Sequence, residues 1–239
     1  MSNRISWKEA LSKKHFRIHL LVSGFAGALI ILFLPYFFIE ILLSKPGYTL
    51  NDYILNQLAP KDFSWIIFGL IYLSVLITLF FNYSNPYTIL LGIECYLGIN
   101  LVRIVSLYMI TLEPPHDIIP LIDPLITKIA YGNTVYLKDL FFSGHVSTLF
   151  LLFLIEEDKV RKLFLLATTI SVGLLILWQH VHYSIDVLSA PLFAWAIYTI
   201  IKKFHTSHFQ KVIGWSSITI IFGSIHCKAK KLTGVYSII

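Results

Sequence analysis

Residues 162–201 read KLFLLATTISVGLLILWQHVHYSIDVLSAPLFAWAIYTII, two apolar stretches with a short polar segment between them. Each stretch, 162–181 and 184–201, has about the 20 residues that an α-helix needs to cross the hydrocarbon core of a bilayer. The polar segment therefore lies at one face of a membrane, between two spanning helices. Its histidines and its aspartate are costly in such a place unless they have a function.

Four more apolar stretches come earlier in the chain, at residues 18–43, 64–82, 87–112 and 139–156. Apolar residues make up 56% of the 239-residue chain and the mean hydropathy is +0.75, which excludes an ordinary soluble domain. The net charge of +6 does not indicate nucleic acid as a partner, because the basic residues lie between and beside the apolar stretches. We predict an all-α, polytopic membrane protein with six transmembrane helices in one bundle.

Basic residues are concentrated at the N-terminus, after the fourth stretch and after the sixth. They are Arg4, Lys8, Lys13, Lys14, Arg17, Lys159, Arg161, Lys162, Lys202 and Lys203. With six spans these segments fall on one side of the membrane, so the positive-inside rule predicts that both termini are cytoplasmic. The predicted organisation is a cytoplasmic segment 1–17, a six-span domain 18–201, and a cytoplasmic or interfacial tail 202–239. The apolar stretch 212–225 in the tail is short for a span.

Two motifs at the edges of these spans carry the candidate catalytic residues. Ser143-Gly144-His145 lies near the start of the fourth span, and His182-Tyr183-Ser184-Ile185-Asp186 lies just before the sixth. Both motifs come out on the face opposite the basic segments, which is periplasmic or lumenal. His182 and Asp186 are four residues apart, so on a helix they share one face and the carboxylate can orient the imidazole.

These residue types suit phosphoryl transfer on a lipid, which needs an attacking group, a proton donor and positive charge around the phosphate. His182 can attack phosphorus, while Asp186 fixes its tautomer and stabilises the imidazolium. His145 can protonate the leaving oxygen and then deprotonate the acceptor in a second half-reaction. We therefore predict His145, His182 and Asp186 as the catalytic residues.

Four more residues are predicted to bind the substrate. Arg103 supplies positive charge, Ser143 can donate a hydrogen bond, and Gly144 lets the backbone approach the phosphate. Tyr183, in the second histidine motif, is the fourth. Asp139 is expected to cap the fourth span at its N-terminus. No metal or other cofactor is expected, since the histidines and the arginine can supply the charges that a metal would bring.

Three segments resemble one known family, the sphingomyelin synthases. Residues 137–145 (LKDLFFSGH) and 182–187 (HYSIDV) look like its two histidine motifs, and residues 103–115 (RIVSLYMITLEPP) are similar to its arginine-containing span with the turn that follows. The resemblance covers roughly residues 48–200 and places the chain in a branch of the lipid phosphate phosphatase superfamily. One departure is Glu113, where the family tends to have the first proline of that turn.

The resemblance implies a six-span fold and a triad of His145, His182 and Asp186. It also implies transfer of a phosphoalcohol headgroup from a glycerophospholipid to ceramide or a diacylglycerol-like alcohol, through a phosphohistidine-type intermediate. Two alternatives stay open: a lipid phosphate, diphosphate or phospholipase C-type hydrolase with water as acceptor, and a non-catalytic membrane protein that binds lipids. The oligomeric state, including a homo-oligomer, is also open.

Overall fold

The computed structural model describes residues 5–123 and 137–213, with side chains as far as residue 205, and this described part is helical. Its α-helices are α1 (Trp7–Ser12), α2 (Lys14–Tyr36), α3 (Ser64–Asn82), α4 (Pro86–Met109), α5 (Gly144–Ile155), α6 (Lys159–Trp178) and α7 (Ser184–Ile213). A π-helical segment, Phe37–Leu42, extends α2 after Pro35, and Leu55–Gln57 form one 3-10 turn. By compactness the chain divides after Thr199, and the site described below lies within the first unit.

Five of these helices are long and apolar enough to cross a membrane, which fits an integral membrane protein. They are Lys14–Leu42, Ser64–Asn82, Pro86–Met109, Lys159–Trp178 and Ser184–His205. The remaining predicted span, 139–156, corresponds to the apolar helix α5, which is only 12 residues long. At 1.5 Å per residue, α5 rises about 18 Å against a hydrocarbon core of about 30 Å. Five spans therefore agree with the prediction, and the count of six and the single bundle stay predictions.

Four of the described helices, α1, α4, α5 and α6, follow an N-cap residue whose side chain accepts a hydrogen bond from the first turn. Asn85 caps α4 by accepting from Thr88, and Asp158 caps α6 by accepting from two backbone N–H groups. Ser143 is the N-cap of α5 and accepts from the N–H of Val146. The expectation that Asp139 would cap this helix is therefore wrong. Asp139 lies five residues before α5 and pairs with an arginine instead.

Two connectors meet near the N-terminus of α5. Tyr48 and Leu112 form an isolated parallel bridge, and a Cβ atom on Gly47 would lie 2.8 Å from the carbonyl carbon of Leu112, so only glycine fits this close approach. Glu113 accepts hydrogen bonds from the Gly47 N–H (2.9 Å) and from the ammonium group of Lys138 (2.7 Å). The Lys138 hydrogen bond holds the pKa of Glu113 below its ordinary value. These contacts fix the segment that leads into α5.

A buried carboxylate holds the other end of α5 to the helices beside it. Glu156, only 1% exposed, accepts hydrogen bonds from the guanidinium group of Arg161 (3.0 Å) and the amide of Asn82 (3.2 Å). It also accepts from the N–H groups of Glu157 and Asp158. The turn between α5 and α6 is thereby anchored to the end of α3.

The predicted sides of the membrane and most of the tail are not tested by this structure. The apolar stretch 212–225 lies almost wholly outside the described residues, which end at Ile213 in α7. The location of both termini and the domain boundaries stay predictions.

Candidate functional site

A backbone hydrogen bond joins the two histidine motifs. The N–H of Ser143 donates to the carbonyl oxygen of Asp186 at 3.1 Å, and both residues are fully buried. Ser143 immediately precedes α5, which carries His145, and Asp186 lies in the first turn of α7, next to His182. Because the bond is between main-chain atoms, it fixes the ends of α5 and α7 relative to each other. Motifs 37 positions apart in the sequence thus form one site.

His182 and Asp186 come together, but not as neighbours on one helical face. His182 precedes α7, which starts at Ser184. Asp186 turns back toward the chain before the helix, where Oδ2 accepts the Tyr183 N–H at 3.0 Å and lies 3.5 Å from Nδ1 of His182. An acidic residue in this position commonly accepts from the N-cap N–H. The prediction of a helical pair is therefore corrected to a pair formed across a helix N-terminus.

Three buried polar atoms at this place have no hydrogen-bond partner among the described residues. They are Nδ1 of His145, Nδ1 of His182 and Oδ1 of Asp186. Buried polar atoms are normally paired, so a group of unpaired ones needs an explanation. Hydrogen bonds between catalytic groups are often long in ligand-free structures and shorten when substrate binds. The arrangement is therefore compatible with a reactive centre.

Arg103 lies beside the first motif and is held in one orientation. Its Nε donates to the carbonyl oxygen of Phe142 at 2.9 Å, and its guanidinium group forms an ion pair with Asp139. A Cβ atom on Gly144 would lie 2.6 Å from Nη1 of Arg103, so the arginine packs directly against the glycine backbone. The same end of α5 presents the N–H groups of Gly144 and His145, which have no acceptor within the helix. The helix N-terminus is positively polarised and suited to an anion, and the guanidinium group beside it shares its charge with Asp139.

A cavity of about 760 Å³ connects this centre to the far end of the helices. Arg103, Gly144, His145 and His182 line one end of it, and the apolar walls come mainly from α3, α4 and α5. The lining of α4 runs from Arg103 to Thr88, which is about 22 Å along the helix axis. The cavity can therefore hold a long hydrocarbon chain with a polar group at the histidines.

Ser143 and Tyr183, two of the predicted substrate-binding residues, do not line this cavity. Ser143 caps α5, and Tyr183 is only 1% exposed. The Tyr183 hydroxyl donates to the carbonyl oxygen of Glu113 (3.0 Å) and accepts from the N–H of Leu50 (3.3 Å). In this structure both residues hold the walls of the site together rather than facing a substrate.

Other polar residues at the site carry no local signal in the sequence. Asp123 and Tyr72 line the cavity, and the tyrosine hydroxyl lies 2.6 Å from both carboxylate oxygens of Asp123. Asp52 hydrogen-bonds to Ser184 at the start of α7. Each pair joins residues at least 51 positions apart. No motif or periodicity marks them.

A family model described as PAP2 superfamily C-terminal matches residues 138–204. The matched segment contains both histidine motifs and does not include Arg103. The match supports the lipid phosphate phosphatase superfamily, whose members are typically phosphatases and phosphotransferases. Neither a curated protein nor a solved structure gives a significant match to the chain.

Proposed function

We propose that the protein is a membrane lipid phosphotransferase of the sphingomyelin synthase-like kind. It moves a phosphoalcohol headgroup from a glycerophospholipid to ceramide or a similar lipid alcohol, through a phosphohistidine at His182. The observation that carries the proposal is the hydrogen bond from Ser143 to Asp186, which brings His145 and His182 to one cavity. The resemblance in three segments and the superfamily match support the same chemistry.

In the first half-reaction Nε2 of His182 attacks phosphorus, because Nδ1 is the nitrogen that faces Asp186. A nitrogen–phosphorus bond forms and the bond from phosphorus to the diacylglycerol oxygen breaks. Protonated His145 gives its proton to that oxygen, so diacylglycerol leaves as a neutral alcohol. Asp186 stabilises the charge that develops on the imidazole of His182.

In the second half-reaction neutral His145 takes the proton of the acceptor hydroxyl. The acceptor oxygen then attacks phosphorus, the nitrogen–phosphorus bond breaks, and His182 returns to its starting state. Both half-reactions place negative charge on the phosphate oxygens. Arg103 and the N-terminus of α5 stabilise this charge, and an apolar cavity makes such electrostatic stabilisation stronger than in water.

The proposed catalytic unit is the six-span domain 18–201, with the site on the periplasmic or lumenal face and both termini in the cytoplasm. The distribution of basic residues supports this orientation. The apolar cavity supports lipids as both substrates, since it is long enough for a hydrocarbon chain and ends at the histidines.

A lipid phosphate hydrolase is the second candidate, and the superfamily match favours it as much as the transferase. The first half-reaction is the same, and water replaces the lipid alcohol in the second. Asp123 and Asp139 line the cavity near His145 and are groups that can hold a water molecule. The residues of the triad are common to both reactions, so the identity of the acceptor has to be measured.

The test uses purified protein in detergent with fluorescent ceramide and a mixture of phosphatidylcholine, phosphatidylethanolamine and phosphatidylglycerol. Products are separated by thin-layer chromatography. His182→Ala and His145→Ala are the test variants, and His116→Ala, at an exposed histidine of a connector, is the matched control. A phosphosphingolipid made by the wild type and the control, but not by the test variants, supports the transferase and identifies its donor.

Two other results would change the assignment. Diacylglycerol without a phosphosphingolipid, again dependent on His182, would identify a hydrolase. Lipid turnover that is unchanged in His182→Ala would refute the catalytic role of the triad. No turnover of any of these lipids by the wild type would leave the non-catalytic, lipid-binding alternative.

A further inference from the structure

The N-terminus of α7 is capped from a distant part of the chain. The N–H of Ser184 donates to Oδ2 of Asp52 at 2.6 Å, and the Ser184 hydroxyl donates to Oδ1 of Asp52 at 3.0 Å. Asp52 belongs to the connector between α2 and α3, 132 positions away. A negative side chain at a helix N-terminus both satisfies a free N–H and complements the helix dipole.

The side chain of Asp52 is also held by hydrogen bonds within its own connector. Its Oδ1 accepts from the N–H groups of Ile54 (3.0 Å) and Leu55 (3.3 Å). Burial raises the pKa of Asp52, but the hydrogen bonds from Ser184, Leu55 and Ile54 outweigh it and leave the pKa below its ordinary value. The carboxylate is therefore charged at neutral pH and fixed in orientation.

Two carboxylates thus accept neighbouring backbone N–H groups at the N-terminus of α7. Asp186, in the first turn, accepts the N–H of Tyr183 through Oδ2, and Asp52 accepts the next one, from Ser184. Asp186 keeps Oδ2 within 3.5 Å of His182 Nδ1. Without Asp52, the free N–H of Ser184 would need an acceptor, and Asp186 carries the nearest carboxylate on α7. A shift of that carboxylate toward the helix N-terminus would take it away from His182.

We propose that Asp52 is a positioning residue for the reaction: by capping α7 from another segment, it leaves Asp186 to orient His182. This inference rests on the proposed role of His182 as the nucleophile. Asp52 does not line the cavity, so it acts through Asp186 and not by contact with a lipid.

The chain supplies a matched control in the same connector. Asp62 caps α3 in the same way, since its Oδ1 accepts from both the N–H (2.9 Å) and the hydroxyl (2.7 Å) of Ser64. Asp62→Ala removes an equivalent cap from a helix that does not carry the triad. A general loss of helix capping should therefore lower the thermal stability of both variants by a similar amount.

The first readout needs no substrate. Protein labelled with ¹⁵N-histidine is compared by NMR in detergent, and the His182 signals are assigned by their absence in His182→Gln. We expect His182 to carry its proton on Nδ1 in the wild type and in Asp62→Ala, and to lose this tautomer preference in Asp52→Ala. Asp52→Asn, which keeps one acceptor oxygen, should restore part of the preference. An unchanged His182 tautomer in Asp52→Ala would overturn the proposal.

The second readout is kinetic and uses the fluorescent lipid mixture. Asp52→Ala should lower kcat about 10- to 100-fold with little change in KM, because a misoriented catalytic group slows the chemical step. In an Asp186→Ala background the same change should cost less than about twofold, because Asp52 acts through Asp186. If Asp52→Ala lowered kcat by the same amount, about 10- to 100-fold, in the Asp186→Ala background, the proposal would be overturned. His182→Ala, measured alongside, shows separately whether the proposed function holds. If Asp52→Ala does not fold, Asp52→Asn is compared in both backgrounds.

Discussion

Gly144→Ala should displace Arg103 without disturbing the fold. The new Cβ atom would lie 2.6 Å from Nη1 and 2.7 Å from Cζ of Arg103, whereas ordinary van der Waals contact begins at 3.4 Å. The guanidinium group must therefore move by at least about 0.8 Å, the difference between these distances. It cannot swing aside freely, because Asp139 and the carbonyl oxygen of Phe142 hold it.

A displacement of this size should lower kcat about 100-fold, since a misplacement of about 1 Å can cost that factor. Stability should fall slightly, because the strain of displacing a held guanidinium group, about 1–3 kcal/mol for overpacking, exceeds the gain of at most about 1 kcal/mol from alanine at the first residue of α5. The assay is turnover of the fluorescent lipid mixture by purified variants, together with a thermal melt in detergent.

Gly69→Ala is the matched control, because a Cβ atom at this position in α3 has no heavy atom within 4 Å. It should retain wild-type turnover. If Gly144→Ala kept more than about a third of the wild-type kcat, the contact of Arg103 with the Gly144 backbone would not matter for the reaction. The assignment of Arg103 to the phosphate would then lose its structural basis.

Three more predictions concern stability and substrate length. Because the Lys138 hydrogen bond lowers the pKa of Glu113, the stability that this carboxylate contributes should be complete above pH 4.5 and lost as the pH falls through the lowered pKa. Thermal melts of Glu113→Gln should therefore depend less on acid pH than those of the wild type, and an equal dependence would contradict this. Glu156→Ala removes a buried carboxylate whose partner Arg161 is partly exposed, and the lost hydrogen bonds should lower the free energy of unfolding by about 2 kcal/mol, whereas exposed Glu157→Ala should change it by less than about 0.5 kcal/mol in the same denaturation series. Gly92→Leu places a side chain in the part of the cavity about 16 Å from Arg103 along α4, so turnover of long-chain lipids should fall at least about tenfold while that of short-chain analogues is retained; an equal loss for both would show that the chain does not lie there.

Apolar length was enough to predict where most helices lie. The stretch 64–82 agrees with α3 at both ends, because it has no charged residue and Asp62, just before it, accepts the N–H of its first residue, Ser64. The stretch 139–156 was less informative, since α5 begins only at Gly144. The stretch begins at Asp139, which pairs with Arg103, 36 positions away, and is not part of the helix. Local patterns do not encode a choice between capping a helix and pairing with a distant arginine.

In the candidate site, too, local motifs could be predicted from the sequence and contacts between distant residues could not. The motifs around His145 and His182 were recognisable because titratable residues are rare at the edges of apolar stretches. That His182 and Asp186 would meet was expected from helical spacing, and they do meet, but across the start of α7. Asp52 could not be found in this way, because its partner Ser184 is 132 positions away and connectors carry no periodic signal.

The hydrogen bond between Ser143 and Asp186 has a consequence for how such a protein can diversify. Main-chain atoms make this bond, so no substitution other than proline at position 143 removes it directly. The apolar walls of the cavity, in contrast, are built mainly from side chains, those of α3 and α4 with some from α5. Selectivity for a lipid can thus be altered in one part of the molecule while the reactive pair stays assembled in another. A library confined to the cavity-facing positions of α3 and α4 is the place to select for new substrates.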